Sequence, residues 1–266
     1  MNHPDLEIPD PPSVGHTPRE TRLRVLTLNI QVGLQTAHYG HYVTGAWRHV
    51  LPSRKVLSNL DRIAELASEF DLVALQEADA GSLRTAQLNQ VEYLARKAGL
   101  THWQAGVNRN LRPFAQHCLG FLSRLPLDDV EHHALPGRVP GRGALAATVT
   151  PPGHQALRVV VTHLALSRSS RKQQLEYLAG LVPRDRELIL LGDLNCDLPE
   201  LLTHTPLGAI GLQPVSGAPT FPSWKPQRRL DHVLATPGLR VAHSHVVPTP
   251  LSDHLAVAAE LLLPSA

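Results

Sequence analysis

The fold of this chain is decided by the stretch Leu188-Ile189-Leu190-Leu191-Gly192-Asp193-Leu194-Asn195, in which a continuous apolar run ends in a glycine, a carboxylate and a carboxamide. Short apolar runs of this kind are typical of strands that are buried on both faces. Four further runs follow the same plan: residues 23–28 before Asn29, 72–75 before Gln76 and Glu77, 157–161 before Thr162 and His163, and 255–263 after Ser252, Asp253 and His254. We expect these polar groups to meet at one edge of a sheet, where functional sites commonly lie.

The length of 266 residues suits either one large domain or two small ones. Because the polar clusters are spread from position 29 to position 254, we predict a single domain over residues 22–266. Residues 1–21 contain five prolines and little apolar periodicity, so we predict a disordered or draped N-terminal leader there.

The spacing of apolar residues predicts alternating strands and helices after this leader. Helical spacing follows Pro52 and Arg171, and a third helix is expected near residues 86–97. Residues 117–123, 128–135 and 143–150 form strand-like runs that are bounded by proline and glycine. Helices outside strand-rich halves indicate an α/β sandwich.

Composition limits the class of protein. The formal net charge of +2 does not indicate bulk binding of nucleic acid. The two cysteines, Cys118 and Cys196, offer neither a disulfide framework nor a CxxC metal spacing. We find no apolar signal core and no run near the roughly 20 apolar residues of a membrane span. A cytoplasmic location without a transmembrane segment is therefore expected, while peripheral membrane contact and the oligomeric state stay open.

The polar clusters supply the groups needed to hydrolyse a phosphate ester with a divalent cation. Mg²⁺ prefers oxygen ligands, commonly one or two carboxylates together with water and substrate phosphate. Such oxygens are offered by Asn29, Glu77, Asp193, Asn195 and Asp253. Hydrolysis also needs a group that orients or deprotonates water and donors for the phosphoryl oxygens, and these roles suit His163 and His254. A histidine base usually has an orienting carboxylate, for which Asp231 is the candidate.

The order of these motifs resembles the endonuclease/exonuclease/phosphatase superfamily of DNase I-like, metal-dependent phosphoesterases. The resemblance extends from about residue 22 to residue 263 and rests on Leu28-Asn29-Ile30, Leu75-Gln76-Glu77, Thr162-His163-Leu164, Gly192-Asp193-Leu194-Asn195, Leu230-Asp231-His232 and Ser252-Asp253-His254. It implies a four-layer α/β sandwich, in which two central, mostly antiparallel β-sheets are flanked by helices and the active site lies at one end.

The resemblance also implies a role for each matched residue. Glu77 resembles the principal ligand of the metal, Mg²⁺ or alternatively Mn²⁺, with Asn29 and Asp253 beside it. The catalytic residues are implied to be Asp193 and Asn195, which orient the attacking water and hold the phosphate, the Asp231–His254 dyad, which helps to activate that water, and His163, which binds phosphate and assists the leaving group.

Two segments and two arginines are candidates for substrate binding. The segment after Asn29 holds aromatic residues beside histidine and arginine, and the segment that begins Thr220-Phe221-Pro222 resembles a bacterial subgroup of the superfamily. The candidates are Tyr39, Tyr42 and Trp47 in the first segment, Trp224 in the second, and Arg142 and Arg171. One departure is Leu119, which occupies a position where many members carry asparagine.

The resulting hypothesis is a metal-dependent phosphoesterase, most simply a phosphodiesterase, in which water attacks the phosphate in line. The substrate is left open between nucleic acid and a phospholipid or other small phosphoester, because fold and motifs do not determine it. The rival hypothesis is a catalytically silent binding or scaffold protein of the same fold. Under that rival hypothesis, at least one of the positions of Glu77, Asp193 and His254 should carry an unsuitable residue, and all three suitable residues are present.

Overall fold

Two six-stranded β-sheets form the centre of the structure, a computed structural model that describes residues 21–34, 54–203, 205–215 and 217–263. In spatial order, the first sheet consists of β11 (Arg240–Val246), β12 (Val257–Leu262), β1 (Arg22–Asn29), β2 (Leu72–Asp79), β4 (Ala115–Ser123) and β3 (His102–Leu111). The second consists of β5 (Asp128–Ala134), β6 (Gly143–Val149), β7 (Leu157–His163), β8 (Leu188–Asp193), β10 (Asp231–Ala235) and β9 (Gln213–Pro214).

Each sheet contains one parallel pair of strands among antiparallel neighbours. β1 runs parallel to β2, and β7 runs parallel to β8. A parallel pair needs a crossover connection, usually a helix, and in both cases a helix lies between the two strands in the chain. The carboxyl ends of each pair therefore lie at the same edge, with Asn29 opposite Gln76 and His163 opposite Asp193.

Within the described ranges, five α-helices flank the sheets: α1 (Arg54–Ala67), α2 (Gln90–Ala98), α3 (Arg168–Ala179), α4 (Leu198–Thr203) and α5 (Pro206–Ala209). The helices expected after Pro52 and after Arg171 are confirmed as α1 and α3, and α3 begins slightly earlier than expected, at Arg168. The helix expected from residue 86 begins at Gln90. The cause is Asn89, whose side chain accepts hydrogen bonds from the backbone N–H groups of Val91 and Glu92 at 3.1 and 3.3 Å and so caps the helix.

Three apolar clusters hold these layers together. The first lies between the two sheets and contains Phe121, Val161 and Leu191, all fully buried. A second joins α1 and α2 to the outer face of the first sheet, and a third joins α3, α4 and α5 to the outer face of the second. Helix, sheet, sheet and helix therefore stack in four layers, which confirms the predicted sandwich.

Two expectations fall partly or wholly outside the described residues. The predicted leader, residues 1–21, is described at Thr21 alone, and Tyr39, Tyr42 and Trp47 are not described. No helix in the described ranges is long and apolar enough to cross a membrane.

Candidate active site

Polar residues from both sheets meet at one edge of the sandwich. β2, β7 and β8 run toward this edge and present Glu77, His163 and Asp193 near their carboxyl ends. β10 runs antiparallel to β8 and begins at this edge with Asp231, which lies opposite Asp193. Asn29 Nδ2 donates to Asp193 Oδ2 at 3.2 Å and joins the two sheets across the site.

A β-bulge directs Glu77 into the site. The pairing of β2 with β4 shifts register between Leu75 and Ala78, and Glu77 has a φ of 54°. An extra residue in one strand re-aims a side chain in this way. Gln76 and Ala78 on either side are buried, whereas Glu77 is partly exposed. Loss of solvation among the surrounding site residues, and next the negative charge of Asp253, raise the pKa of the Glu77 carboxyl.

Asp193 lies at the centre of the site and is 2 % exposed. Its Oδ1 accepts from the backbone N–H of Asn195 at 3.0 Å. Its Oδ2 lies 3.3 Å from His163 Nε2 and 3.7 Å from His254 Nε2, in addition to the contact with Asn29. Burial raises the pKa of Asp193 because a desolvated carboxylate is costly.

Gly192 allows Asp193 to take this position. Gly192 has a φ of 143°, and a Cβ added there would lie 2.0 Å from the carbonyl oxygen of Thr162 on β7. A side chain at residue 192 therefore has no room. The Gly-Asp dipeptide of the decisive stretch is thus required by close packing of two parallel strands as well as by chemistry.

Backbone contacts orient the two carboxamides of the site. Asn29 Oδ1 accepts from the backbone N–H of Gln31 at 3.1 Å, and Asn195 Nδ2 donates to the carbonyl of Leu164 at 3.0 Å. Asn195 adopts a left-handed φ of 53°, a conformation that asparagine tolerates better than most residues. Both amides are therefore held in place before any substrate arrives.

Asp231 and His254 form a buried, hydrogen-bonded pair. His254 Nδ1 lies 2.8 Å from Asp231 Oδ2, which leaves Nε2 directed toward Asp193. Burial lowers the pKa of His254, but the charges of Asp231 and Asp193 outweigh it and raise the pKa to about 10. The ring of Phe221 packs against His254 with centroids 4.8 Å apart. His254 is therefore an imidazolium in this setting.

His163 has the opposite electrostatic character. Its Nε2 lies near Asp193, and its Nδ1 lies 3.8 Å from Glu77 Oε1. Burial, followed by the positive charge of Arg142, lowers the pKa of His163 well below 6.5. The site thus holds one neutral and one charged imidazole on either side of Asp193.

A cleft of about 610 Å³ lies at the surface beside the site. Glu77 and His163 lie in its wall together with Arg142 from the loop between β5 and β6. Its size falls within the range of pockets that bind small ligands.

Sequence and structure comparisons place this geometry in a family. The profile of the Endonuclease/Exonuclease/phosphatase family matches residues 26–254. The chain belongs to this family. No protein with a curated functional description matches the sequence.

Solved structures of the Endonuclease/Exonuclease/phosphatase fold superpose on most of the chain. An endonuclease/exonuclease/phosphatase from Beutenbergia cavernae is 26 % identical, with a TM-score of 0.71 over 91 % of this chain and 72 % of that one. A mannosyl-6-phosphatase from Bacteroides thetaiotaomicron has 15 % identity and a TM-score of 0.67 over 91 % and 100 % of the two chains. D. rerio TDP2 in complex with a single-strand DNA product has 19 % identity and a TM-score of 0.65 over 91 % and 99 %. The last two likenesses concern the fold alone.

The oxygen atoms around Glu77 fit the divalent metal that the Endonuclease/Exonuclease/phosphatase family generally uses. Asp253 lies close enough to Glu77 for its charge to raise the pKa of the Glu77 carboxyl, so a cation held by both groups would relieve repulsion. A second group, Asp193, Asp231 and His254, has ligand atoms within 4.8 Å of one another. Because Asp231 already occupies His254 Nδ1, we favour Glu77, Asp253 and Asn29 as the metal-binding group.

The predicted substrate-binding residues differ in where the structure places them. Arg142 lines the cleft. Arg171 does not: its guanidinium donates to Glu200 Oε1 at 2.8 and 3.0 Å, an ion pair between α3 and α4, so a substrate contact by Arg171 stays a prediction that this pairing does not favour. Trp224 is partly exposed in the loop after Phe221 and lies outside the cleft wall. Leu119 lies in the core between the sheets and also reaches the floor of the cleft.

Several residues of this region are not among those predicted from the sequence. His117, Arg109 and Arg138 line the cleft, and Thr220 Oγ1 accepts from the backbone N–H of Asp231 at 3.3 Å. Arg109 and Arg138 lie in no recognisable motif, whereas Thr220 begins the segment that resembles the bacterial subgroup. For His117 a signal existed, because it lies two residues before Leu119 and so on the same face of β4.

Proposed function

We propose that this protein is a divalent-metal-dependent phosphoesterase that hydrolyses a phosphodiester by in-line attack of water. The observation that carries the proposal is the convergence of the Asp231–His254 pair on Asp193, which His163 links to Glu77 through contacts of 3.3 and 3.8 Å. Solved structures of the same fold include a mannosyl-6-phosphatase and a protein in complex with a single-strand DNA product, which is in keeping with phosphoester chemistry. We further propose that residues 22–266 form the catalytic domain.

Glu77, Asp253 and Asn29 would hold the cation, Mg²⁺ or alternatively Mn²⁺. A bound divalent ion supplies charge that stabilises the phosphoryl oxygens in the transition state. Glu77 is suited to this role because its bulge presents a carboxylate to the cleft, where substrate phosphate can share the ion.

The remaining residues divide the proton chemistry between them. A carboxylate with a raised pKa is a better base, so Asp193 is suited to orient the water and accept its proton. His254 carries a positive charge and a free Nε2–H, which suits a donor to a phosphoryl oxygen better than the water-activating role expected from sequence. Neutral His163 can donate one hydrogen bond near the leaving oxygen, and Asn195 is suited to hold the phosphate beside Asp193.

Hydrolysis of bis(p-nitrophenyl) phosphate tests the proposal. We expect turnover that EDTA abolishes and Mg²⁺ or Mn²⁺ restores. Asp193→Asn, which keeps the shape of the side chain, should lower kcat by about 10²- to 10⁴-fold, the usual contribution of a general base. Asp128→Asn, at an exposed position on β5, removes the same charge and serves as control.

Failure would take one of two forms. Absence of hydrolysis of diesters and monoesters at every metal concentration would favour the silent binding protein. Equal activity of wild type and Asp193→Asn would refute the assignment of the base.

A further inference from the structure

Beyond Glu77, three arginines line the wall of the cleft. Arg109 lies near the end of β3, and Arg138 and Arg142 belong to the loop between β5 and β6. Arg142 belongs to the site already described, because Glu77 and Asp193 are the charges that act on its pKa most after burial, which lowers it. Arg109 and Arg138 have no part in that chemistry, so the proposed catalytic site does not explain why they line the same cleft.

These arginines lack acidic partners within the described ranges. Among the residues that the structure describes, no carboxylate oxygen lies within 4.0 Å of the guanidinium nitrogens of Arg109, Arg138 or Arg142. Other described arginines do have such partners, for example Arg22 with Glu260 and Arg158 with Glu131, both at 2.9 Å. Three guanidinium groups around one concave surface create a positive potential that attracts an anion.

The arginine-bearing loop is held in a defined position. Gln174 Nε2 on α3 donates to the carbonyl of Pro136 at 2.9 Å. Gly141 has a φ of 100°, and a Cβ added there would lie 3.0 Å from Cβ and Cδ of Arg109. The aliphatic part of Arg109 therefore packs directly on the loop backbone, and this contact keeps the two arginine-bearing segments together.

Neutral donors complete the wall. His117 Nδ1 lies 3.4 Å from Nη2 of Arg84, which is paired at 2.6 Å with the fully buried Asp79. A guanidinium only donates, so Nδ1 of His117 accepts and the proton lies on Nε2. Burial lowers the pKa of His117 to about 4 and keeps the ring neutral. The cleft is also lined by Ser167, the N-cap of the 12-residue α3, where the helix dipole favours anions.

We propose that Arg109 and Arg138, with His117, form a second anion-binding subsite, and that the substrate is a phosphodiester carrying a further phosphate group in the same molecule. This inference rests on the proposed function, because it places the scissile phosphate at Glu77 and the second phosphate farther along the cleft. Arginine suits this role because its planar donors bind phosphate oxygens bidentately. The cleft volume accommodates a ligand of nucleotide size.

Kinetic discrimination tests the subsite. The substrates are the p-nitrophenyl ester of thymidine 5′-phosphate and the same ester with an added 3′-phosphate. In wild type we expect the added phosphate to raise kcat/KM about tenfold or more, the usual effect of a charged hydrogen bond. Arg109→Gln and Arg138→Gln should each remove most of that ratio, and Arg109→Lys should keep part of it. Arg62→Gln, on the exposed side of α1, should leave the ratio unchanged.

Binding in EDTA gives a readout that does not depend on activity. By calorimetry, thymidine 3′,5′-bisphosphate should bind wild type about tenfold more tightly than thymidine 5′-monophosphate. The same comparison between fructose 1,6-bisphosphate and fructose 6-phosphate shows whether the nucleoside contributes. Arg109→Gln and Arg138→Gln should abolish both preferences if the second phosphate is what the subsite binds.

The outcomes separate this inference from the proposed function. If no ester is hydrolysed but the arginines govern bisphosphate binding, the proposed function is wrong and the subsite stands. If esters are hydrolysed and wild type shows no arginine-dependent preference for a second phosphate in either assay, the subsite is refuted and the proposed function stands.

Discussion

Replacing Asp231 by asparagine should destabilise the metal-free protein by an amount that depends on pH. The pKa of His254 is raised to about 10, against 6.5 in an unfolded chain, because the attraction of Asp231 and Asp193 outweighs the opposing effect of burial. Each pKa unit corresponds to about 1.4 kcal/mol. The whole shift therefore contributes at most about 5 kcal/mol of folding stability at pH 6. Asp231→Asn keeps a hydrogen-bond acceptor for Nδ1 and removes the charge, so it removes much of this contribution.

The sign of the pH dependence follows from the direction of the shift. A histidine whose folded pKa is raised contributes its full stability below the unfolded pKa, and this contribution disappears as pH rises through the folded pKa. The difference in free energy of unfolding between wild type and Asp231→Asn should thus be largest near pH 6. It should narrow by up to about 1.4 kcal/mol per pH unit above pH 6.5, to at most about 2 kcal/mol at pH 8.5.

Urea denaturation in EDTA between pH 6 and pH 9 measures this difference. Asp128→Asn removes an exposed carboxylate of the same type and should show a difference below about 0.5 kcal/mol throughout. If the difference in free energy of unfolding between wild type and Asp231→Asn stays constant with pH, or widens as pH rises, the claim that Asp231 holds His254 in its charged form is refuted.

Three other substitutions test separate parts of the structure. Glu77→Gln should fold but lose the stabilisation by saturating Mg²⁺, about 1–3 kcal/mol in wild type; equal thermal shifts in both proteins would contradict the metal assignment. Gly192→Ala should cost several kcal/mol or prevent folding. Gly153→Ala, at a φ of 75° where an added Cβ meets nothing within 4 Å, should cost only about 1–2 kcal/mol. Arg171→Gln should lose about 1–3 kcal/mol of folding stability, because its ion pair with Glu200 is removed, and should leave KM unchanged. A raised KM without a loss of stability would instead indicate that Arg171 contacts the substrate.

The sequence by itself determined the layers and the meeting of the polar strand ends at one edge. Continuous apolar runs and helical spacing report local preferences for burial, so the strands and helices followed from them, with an error at Asn89 where a cap shifted the helix start. The polar ends of the strands converged because parallel strands end at one edge and their antiparallel neighbours begin there. Asp193 and His163 therefore came together as expected, although their catalytic roles stay predictions.

Only the tertiary structure decided how these groups are charged and which other residues join them. Arg171 looks like any phosphate-binding arginine in sequence, yet Glu200 lies beside it through the packing of two helices. The convergence of Arg109 with Arg138 depends on contact between a strand end and a loop of the other sheet. The raised pKa of His254 and the lowered pKa of His163 come from burial and from charges that lie far away in the chain. Such effects depend on distances across the fold, and a linear pattern of residue types does not contain them.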